Sequence, residues 1–330
     1  MPWKGLKDPY KIWLSEIILQ QTRVNQGLAF YNRFVESFPT IESLANAPDE
    51  KVFKLWEGLG YYSRCRNLIS TARFISGELN GTFPGNYNEI LSLKGVGPYT
   101  AAAISSFAFN LPHAVVDGNV SRVLARIFGI HFNFDSAPNK KNYQQLAQFL
   151  LDPQQPGEFN QTIMDFGATI CKPATPLCSH CPFKSQCYAF NNELVNELPA
   201  PKKKISIKKR HFTYLLLNKG NKIAINKRKK KDIWQQLFEF CLVETHKSLS
   251  PAKIIQQFCA DHKLADEQFS ILKSSGILKQ QLTHQHISCR FIELSATRKL
   301  QNIPGLVWIN RNELKNFPFP RIINQYLADQ

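Results

Sequence analysis

Apolar residues recur at helical spacing at Trp13, Leu14, Ile17 and Ile18, and again at Phe30, Tyr31, Phe34 and Val35. This pattern predicts two helices within Tyr10 to Phe38, with a break near Gln20-Gln21-Thr22 and Pro9 near the start. Glu16 stands inside the first run, crowded by Ile12, Leu14, Ile17, Ile18 and Leu19. A partly buried carboxylate there has a raised pKa and can donate a proton near neutral pH. Further helices are expected from about Ile41 to Ala47 and from Asp49 to Glu57. From Leu91 to Arg126 the chain reads LSLKGVGPYTAAAISSFAF, a short loop, then HAVVDGNVSRVLAR. Gly95 and Gly97 bracket Val96 in a tight turn between apolar segments, and Pro98 suits the first turn of the next helix. Such a turn presents backbone N–H groups where a phosphate can approach. Asp117 lies in a second loop, just ahead of the periodic run Val120, Val123, Leu124, Ile127. From Phe149 to Phe190 the chain is expected to be helical and then to loop through cysteines.

After about residue 210 the period changes to two. His211 to Leu217 and Lys222 to Arg228 are predicted strands joined at Lys219-Gly220-Asn221, a hairpin signal. Leu237 to Val243 and Leu282 to Leu294 are further strands. Pro251 to His262 is a helix, and Glu313 to Leu327 is mostly helical. This half is an α+β domain, and no internal repeat is evident.

Length favours two domains, since one domain usually takes ~100–200 residues, and the chain has 330. The formal charge of +16 makes nucleic acid the first candidate partner. Between Leu198 and Lys231 there are thirteen Lys or Arg and no Asp or Glu, and within that run PAPKKKISIKKR reads as an interdomain linker; such a charge run can lie along phosphates. The stretch Gly58-Leu59-Gly60-Tyr61-Tyr62, followed by Arg64 and Arg66, mixes flexible, aromatic and basic residues as a wedge into a base stack requires. No apolar run reaches the ~18 residues of a membrane span, and the N-terminus lacks a signal-peptide pattern. Eight cysteines are too few for a disulfide scaffold, but Cys171, Cys178, Cys181 and Cys187 cluster, separated by six, two and five residues. Four thiolates in so short a loop can close on one metal centre. Zinc and a [4Fe–4S] cluster are both open on ligand type alone.

WLSEIILQQTRV, WEGLGYYSRCRNL, LKGVGPYTAAA, VVDGNVSRVLAR, MDFGATIC and the four-cysteine loop occur in that order over nearly all of residues 3 to 190. In these stretches the chain resembles the helix–hairpin–helix DNA glycosylases, and within them the MutY-type adenine glycosylases. The resemblance implies an all-α glycosylase domain over 1–192 with an iron–sulfur loop at 171–187. A basic linker at 193–209 and a MutT-like (Nudix-type) α+β domain at 210–330 would follow. It also implies a [4Fe–4S] cluster on Cys171, Cys178, Cys181 and Cys187. Duplex DNA with 8-oxoguanine·adenine or guanine·adenine mismatches would be the partner of a monomer. The expected location is cytoplasmic, nucleoid-associated and bacterial in type, with no membrane.

By the same resemblance the adenine nucleotide is flipped out of the duplex. Glu16 protonates the base at N7, Asp117 stabilises the sugar's oxocarbenium charge or bonds to it, and water completes the reaction. Asn119 and Tyr99 support the two carboxylates. Trp3, Leu19 and Asp165 match the adenine pocket. Gln21, Thr22, Leu59, Gly60 and Tyr61 match the residues beside the opposing base, and Gly95 and Gly97 hold the DNA backbone. Leu282-Thr283-His284 matches a tripeptide that reads 8-oxoguanine and is usually Phe-Ser-His. Thr keeps the hydroxyl, but Leu loses the ring. The hydrolase motif R-E-x-x-E-E is absent, so no nucleotide pyrophosphatase activity is expected. Lys4 stands where Arg usually follows the Trp, and the family usually has more chain ahead of this point. That leaves open whether the chain is a shortened form or begins at a misassigned start. Endonuclease III-like repair of oxidised pyrimidines is the alternative enzyme. It carries a lysine at the position of Tyr99 to form a Schiff base, which a phenol cannot do, so a monofunctional glycosylase is expected. A non-catalytic DNA-binding homologue is the other alternative, against which stand Glu16 and Asp117.

Overall fold

The computed structural model describes residues 2, 4–22, 24–201, 206–265, 269–296, 303 and 305–329. The chain divides into two compact units, Met1–Ala47 with Arg66–Lys204, and Pro48–Cys65 with Ile205–Gln330.

The helices that precede the sheet are α1 (Pro9–Leu19), α2 (Val24–Ser37) and α3 (Ile41–Ala45) of the first unit, α4 (Asp49–Trp56) of the second unit, and α5 (Tyr62–Glu78), which begins in the second unit and continues in the first. Then come α6 (Tyr87–Ser92), α7 (Pro98–Phe109), α8 (Gly118–Phe128), α9 (Ala137–Leu150), α10 (Pro156–Thr169) and α11 (Tyr188–Asn191). Asp8 caps α1, accepting from the amides of Tyr10 and Lys11, and Pro9 fills the first helical position. α1 is apolar on nearly every side and buries Ile12 through Ile18, with Trp13, Leu14 and Ile18 fully inaccessible. A helix without a polar face belongs in a core. α7 is the same, buried from Thr100 to Ser106, and the two pack together. Val120, Leu124 and Ala125 of α8 pack with Tyr143 and Ala147 of α9 in a second core patch.

The expected break after α1 is present. Gln21 takes a left-handed φ of +55°, which costs a non-glycine residue roughly 1 kcal/mol or more. The helices expected from Ile41 and Asp49 form but end sooner, at Ala45 and Trp56. The run expected to be helical from Phe149 resolves into the end of α9, then α10, two short 3-10 turns at Cys178–His180 and Lys184–Gln186, and α11.

The second unit carries strands β1 (Lys208–Lys219), β2 (Lys222–Lys227), β3 (Phe238–Glu239), β4 (Cys241–Thr245), β5 (Phe269–Ser274), β6 (Leu278–Gln281), β7 (Gln285–Ala296) and β8 (Leu306–Asn310). Helix α12 (Pro251–His262) precedes β5, and α13 (Arg321–Ala328) follows β8. The sheet is mixed. β1 and β7 pair in parallel from Lys208↔Gln285 to Asn218↔Ser295, and the other pairings are antiparallel. Ile254, Ile255, Phe258 and Cys259 of α12 close one face with Leu215, Leu217, Ile292 and Leu294.

Three expectations need correcting. The strand read from Leu237 to Val243 is broken at Phe240 into β3 and β4. The strand read from Leu282 begins at Gln285, leaving Leu282, Thr283 and His284 in the turn before it. The helix read from Glu313 is a 3-10 turn, Arg311–Asn316, separated from α13 by Pro318 and Pro320; proline has no amide hydrogen to continue the ladder.

Segment 48–65 is tied to the second unit by particular bonds. Lys54 Nζ donates to the Phe317 carbonyl at 3.1 Å, and Glu57 Oε1 accepts from the Phe319 amide at 2.7 Å. Lys227 pairs with Glu50 at 2.7 Å.

Candidate active site

Glu16 sits midway along α1 with only 7% of its surface exposed, more deeply buried than its sequence setting suggests. Burial is the largest influence on its carboxyl and raises its pKa to about 7. A hydrogen bond donated by the Tyr99 hydroxyl pulls the other way, and the negative charge of Asp117 adds to the rise. Tyr99 itself is held well above the ordinary phenol range, first by burial and then by the same two carboxylates. It therefore stays a neutral O–H donor. Its ring packs against Ala102, Ala103 and Val115, which fixes the hydroxyl's position from the second residue of α7.

Asp117 is the N-cap of α8. Its Oδ1 accepts from the amides of Asn119 at 2.8 Å and Val120 at 2.7 Å, and its Oδ2 accepts from Asn119 Nδ2 at 2.9 Å. A carboxylate in this cap position satisfies backbone N–H groups that the helix itself leaves unpaired. The Asn119 amide oxygen is in turn held by Arg122 Nη2 at 2.9 Å, and the same guanidinium donates to the Gly167 and Cys171 carbonyls. The orientation of Asp117 is thus set two bonds deep.

Glu16, Tyr99, Asp117 and Asn119 line one cavity of about 930 Å³, a volume suited to a small-molecule or extruded-base ligand. Leu19, Gln21 and Thr22 line it too. A stripe of α10 (Gln161, Thr162, Asp165 and Ala168) forms another wall. Asp165 is held by Lys4 Nζ and by Gln161 Nε2, the latter at 3.1 Å. Lys4, Lys7 and Gln161 are cavity residues that the sequence reading did not place there. Only the i, i+4 spacing of Gln161 and Asp165 gave any signal for them. Trp3 lies outside the described residues.

The hairpin is formed as expected. Gly95 has φ +83°, and a Cβ there would lie 2.7 Å from the Cβ of Asn67. Gly97 caps α7 ahead of Pro98 and has open space around it. Gly95 and Gly97 do not line the cavity. Leu59, Gly60, Tyr61 and the Leu282-Thr283-His284 turn belong to the second unit. There Gly60 and Tyr61 both have positive φ, +81° and +48°. The Gly60 carbonyl accepts from Trp56 Nε1 at 2.9 Å. The Tyr61 ring is 42% exposed, and its hydroxyl lies 2.7 Å from that of Thr283. Leu59 is buried, while Thr283 and His284 are exposed.

Cys171, Cys178, Cys181 and Cys187 are all free thiols and line one small apolar cavity with Phe166, Ile170 and Leu177. Arg126 Nη1 lies 3.5 Å from Cys171 Sγ, and the Cys187 thiol donates to the Arg126 carbonyl at 3.4 Å. Arg126 also bonds the Lys172, Pro173 and Leu198 carbonyls, fixing the cysteine loop to α8. Among the described residues no three or more His, Cys, Asp or Glu side chains converge as on a single metal ion. The four thiols instead surround a shared space beside a guanidinium. That donor set fits a multinuclear thiolate-bound group whose negative charge Arg126 offsets.

Residues 14–152 match the model of the HhH-GPD superfamily base excision DNA repair proteins, and residues 212–329 match that of the NUDIX domain. An adenine DNA glycosylase of Buchnera aphidicola subsp. Baizongia pistaciae is 40% identical over 245 residues, covering 73% of this chain and 68% of that protein. The adenine DNA glycosylase of Rattus norvegicus is 47% identical over 198 residues, 57% of this chain and 38% of its own length. Among solved structures, a thermostable thymine-DNA glycosylase superposes with a TM-score of 0.54 at 32% identity, over 58% of this chain and 88% of its own.

Proposed function

The chain belongs to the adenine DNA glycosylase family, and from that premise we propose that it removes adenine paired with 8-oxoguanine, or with guanine, in duplex DNA. It is a DNA N-glycosylase with an N-terminal HhH-GPD domain and a C-terminal Nudix-like domain. We place these at residues 1–192 and 210–330, joined by the basic segment 193–209.

One observation carries the reading: a buried carboxyl that is half protonated near neutral pH shares a cavity with a second, capped carboxylate. Adenine leaves deoxyribose poorly as an anion. Glu16, protonated below about pH 7, donates to adenine N7 and lets the base depart neutral. The C1′–N9 bond breaks, and positive charge grows on the sugar, as in glycoside hydrolysis. Asp117, fixed by three hydrogen bonds, faces that charge. The carboxylate left on Glu16 then takes a proton from the attacking water. Tyr99 holds Glu16 and has no amine to offer, so base release does not pass through a Schiff base at that position. Leu19 and Asp165 bound the base, and Trp3 is assigned to the same pocket by the family resemblance alone. Gln21 and Thr22 would contact the opposing base. In the second unit, Leu59-Gly60-Tyr61 and Leu282-Thr283-His284, which meet at the Tyr61 and Thr283 hydroxyls, would read its lesion. Gly95 and Gly97 admit a phosphate to the start of α7.

Cys171, Cys178, Cys181 and Cys187 would hold a [4Fe–4S] cluster. When bound, it supplies iron–thiolate bonds that close the loop from Cys171 to Cys187 and plays no acid–base part. Iron with acid-labile sulfide, rather than zinc, is expected in the purified protein. The test of activity is free adenine released from an 8-oxoguanine·adenine duplex under single turnover, with Glu16→Gln and Asp117→Asn beside the wild type. Release by the wild type and loss in both variants is expected. No release from that duplex, with release of an oxidised pyrimidine instead, would reverse the assignment.

A further inference from the structure

The cavity of Glu16 and Asp117 also holds two lysines, Lys4 and Lys7. The chemistry above uses neither. Lys7 is spent on the Phe107 carbonyl, to which its Nζ donates at 3.1 Å. Lys4 is half-buried, and its Nζ bonds one carboxylate oxygen of Asp165. Gln161 holds the other oxygen, so Asp165 is pinned beside the lysine from two sides. Base release leaves, in this same space, a sugar whose C1′ opens to an aldehyde. A primary amine within reach of an aldehyde condenses with it. The carboxylate in contact engages the N–H donors of the ammonium and holds Nζ against α10, and an ammonium has no lone pair with which to attack.

The geometry points to Lys4 as a latent Schiff-base nucleophile toward the abasic product, with Asp165 as the group that restrains it. The pair thereby sets whether the reaction stops at base release. The inference rests on the glycosylase reading above. Lys4 gives one proton to water, and its neutral Nζ adds to C1′. The carbon–nitrogen bond forms as the carbonyl π bond opens onto its oxygen, which takes the proton that the nitrogen gives up. That hydroxyl, with one further proton, leaves as water, and the C1′=Nζ iminium remains. Loss of a C2′ proton to water then expels the 3′-phosphate by β-elimination, breaking the C3′–O bond.

The test uses the full chain and a duplex with a preformed abasic site opposite 8-oxoguanine, so adenine recognition is not needed. Sodium cyanoborohydride reduces any iminium to a stable adduct, read on a denaturing gel. The wild type is expected to trap slowly. Asp165→Asn, which removes the ionic hold on Nζ, is expected to trap severalfold faster. Lys4→Arg in the Asp165→Asn background is expected to fall back to the wild-type level or below, because a guanidinium does not condense. Trapping by Asp165→Asn no faster than wild type, with abasic-duplex binding retained, would overturn the inference. So would a fast rate that survives Lys4→Arg, which would assign the amine elsewhere, Lys7 first. If Asp165→Asn does not fold, the wild type carries the test. Its trapping must rise from pH 7 to pH 9, and Lys4→Arg must remove the rise. Failure of the adenine assignment shows separately, as absence of adenine release from the intact mismatch while abasic trapping stays readable.

Discussion

At the scale of single residues the protein is organised around the cost of burying Glu16. A carboxyl raised from 4.5 to about 7 is worth on the order of 3 kcal/mol between its two forms. The sign follows from which form the fold prefers. The fold tolerates the protonated acid, so stability from this group is complete below the unfolded pKa of 4.5 and is lost as pH rises through about 7. Glu16→Gln is therefore expected to raise the melting temperature at pH 8 and to change it little at pH 4, measured by thermal denaturation. The same substitution is expected to lower the adenine-release rate by ~10²–10⁴-fold, the usual worth of a general acid. Loss of activity with gain of stability is the pattern of a site residue, whereas a core residue would lose both. Asn119→Ala removes one of the three bonds on Asp117 and leaves the Arg122 donor at Nη2 with one partner fewer. A slower single-turnover rate with duplex affinity unchanged is expected.

At the scale of elements, the hairpin between α6 and α7 and the cap of α8 carry the argument. Gly95→Ala puts a Cβ into a left-handed backbone and against Asn67. The conformational part alone costs roughly 1–2 kcal/mol. A lowered melting temperature and weaker binding to any duplex, mismatched or not, are expected from calorimetry and a binding titration. Asp8→Ala removes the cap of the helix that bears Glu16, at a cost of about 1 kcal/mol.

These elements were legible because each has a local cause. α1 and α8 follow from apolar spacing, the hairpin from G-V-G-P, and the α8 cap from an aspartate placed just ahead of an apolar run. α9 was not legible because it is largely polar, burying only Tyr143 and Ala147. β5 and β6 bury almost nothing, so their sequences, FSILKS and LKQQ, carry no sustained apolar–polar alternation. The parallel partnership of β1 with β7 joins positions such as His211 and Ser288, which no local pattern encodes. Likewise the Lys4–Asp165 pair spans 161 positions. The separation in sequence hid an amine in the cavity that a residue-by-residue reading had treated only as a departure at the N-terminus.

At the scale of the whole molecule, charge and division of labour matter. A net charge of +16 predicts that affinity for any duplex falls steeply with salt, as phosphate contacts release counterions. The slope of log affinity against log salt measures it. Among the described residues no helix is long and apolar enough to cross a membrane. In the proposed reading base removal is assigned to the first unit and Leu282-Thr283-His284 of the second unit to the lesion, so the two are expected to be separable by mutation. Thr283→Ala is expected to narrow the preference for adenine opposite 8-oxoguanine over adenine opposite guanine, with turnover on the latter little changed. The four-cysteine loop is bonded through Arg126 to α8, the helix that Asp117 caps. Cys178→Ser is expected to lose iron and melting temperature together.

The most direct measurement is the pH dependence of single-turnover adenine release from an 8-oxoguanine·adenine duplex. A buried acid with a pKa of about 7 requires a rate that holds below neutrality and falls about tenfold per pH unit above it, and Glu16→Gln must abolish that limb. A rate flat from pH 6 to 9, or a falling limb unchanged in Glu16→Gln, would contradict the assignment of Glu16 as the proton donor.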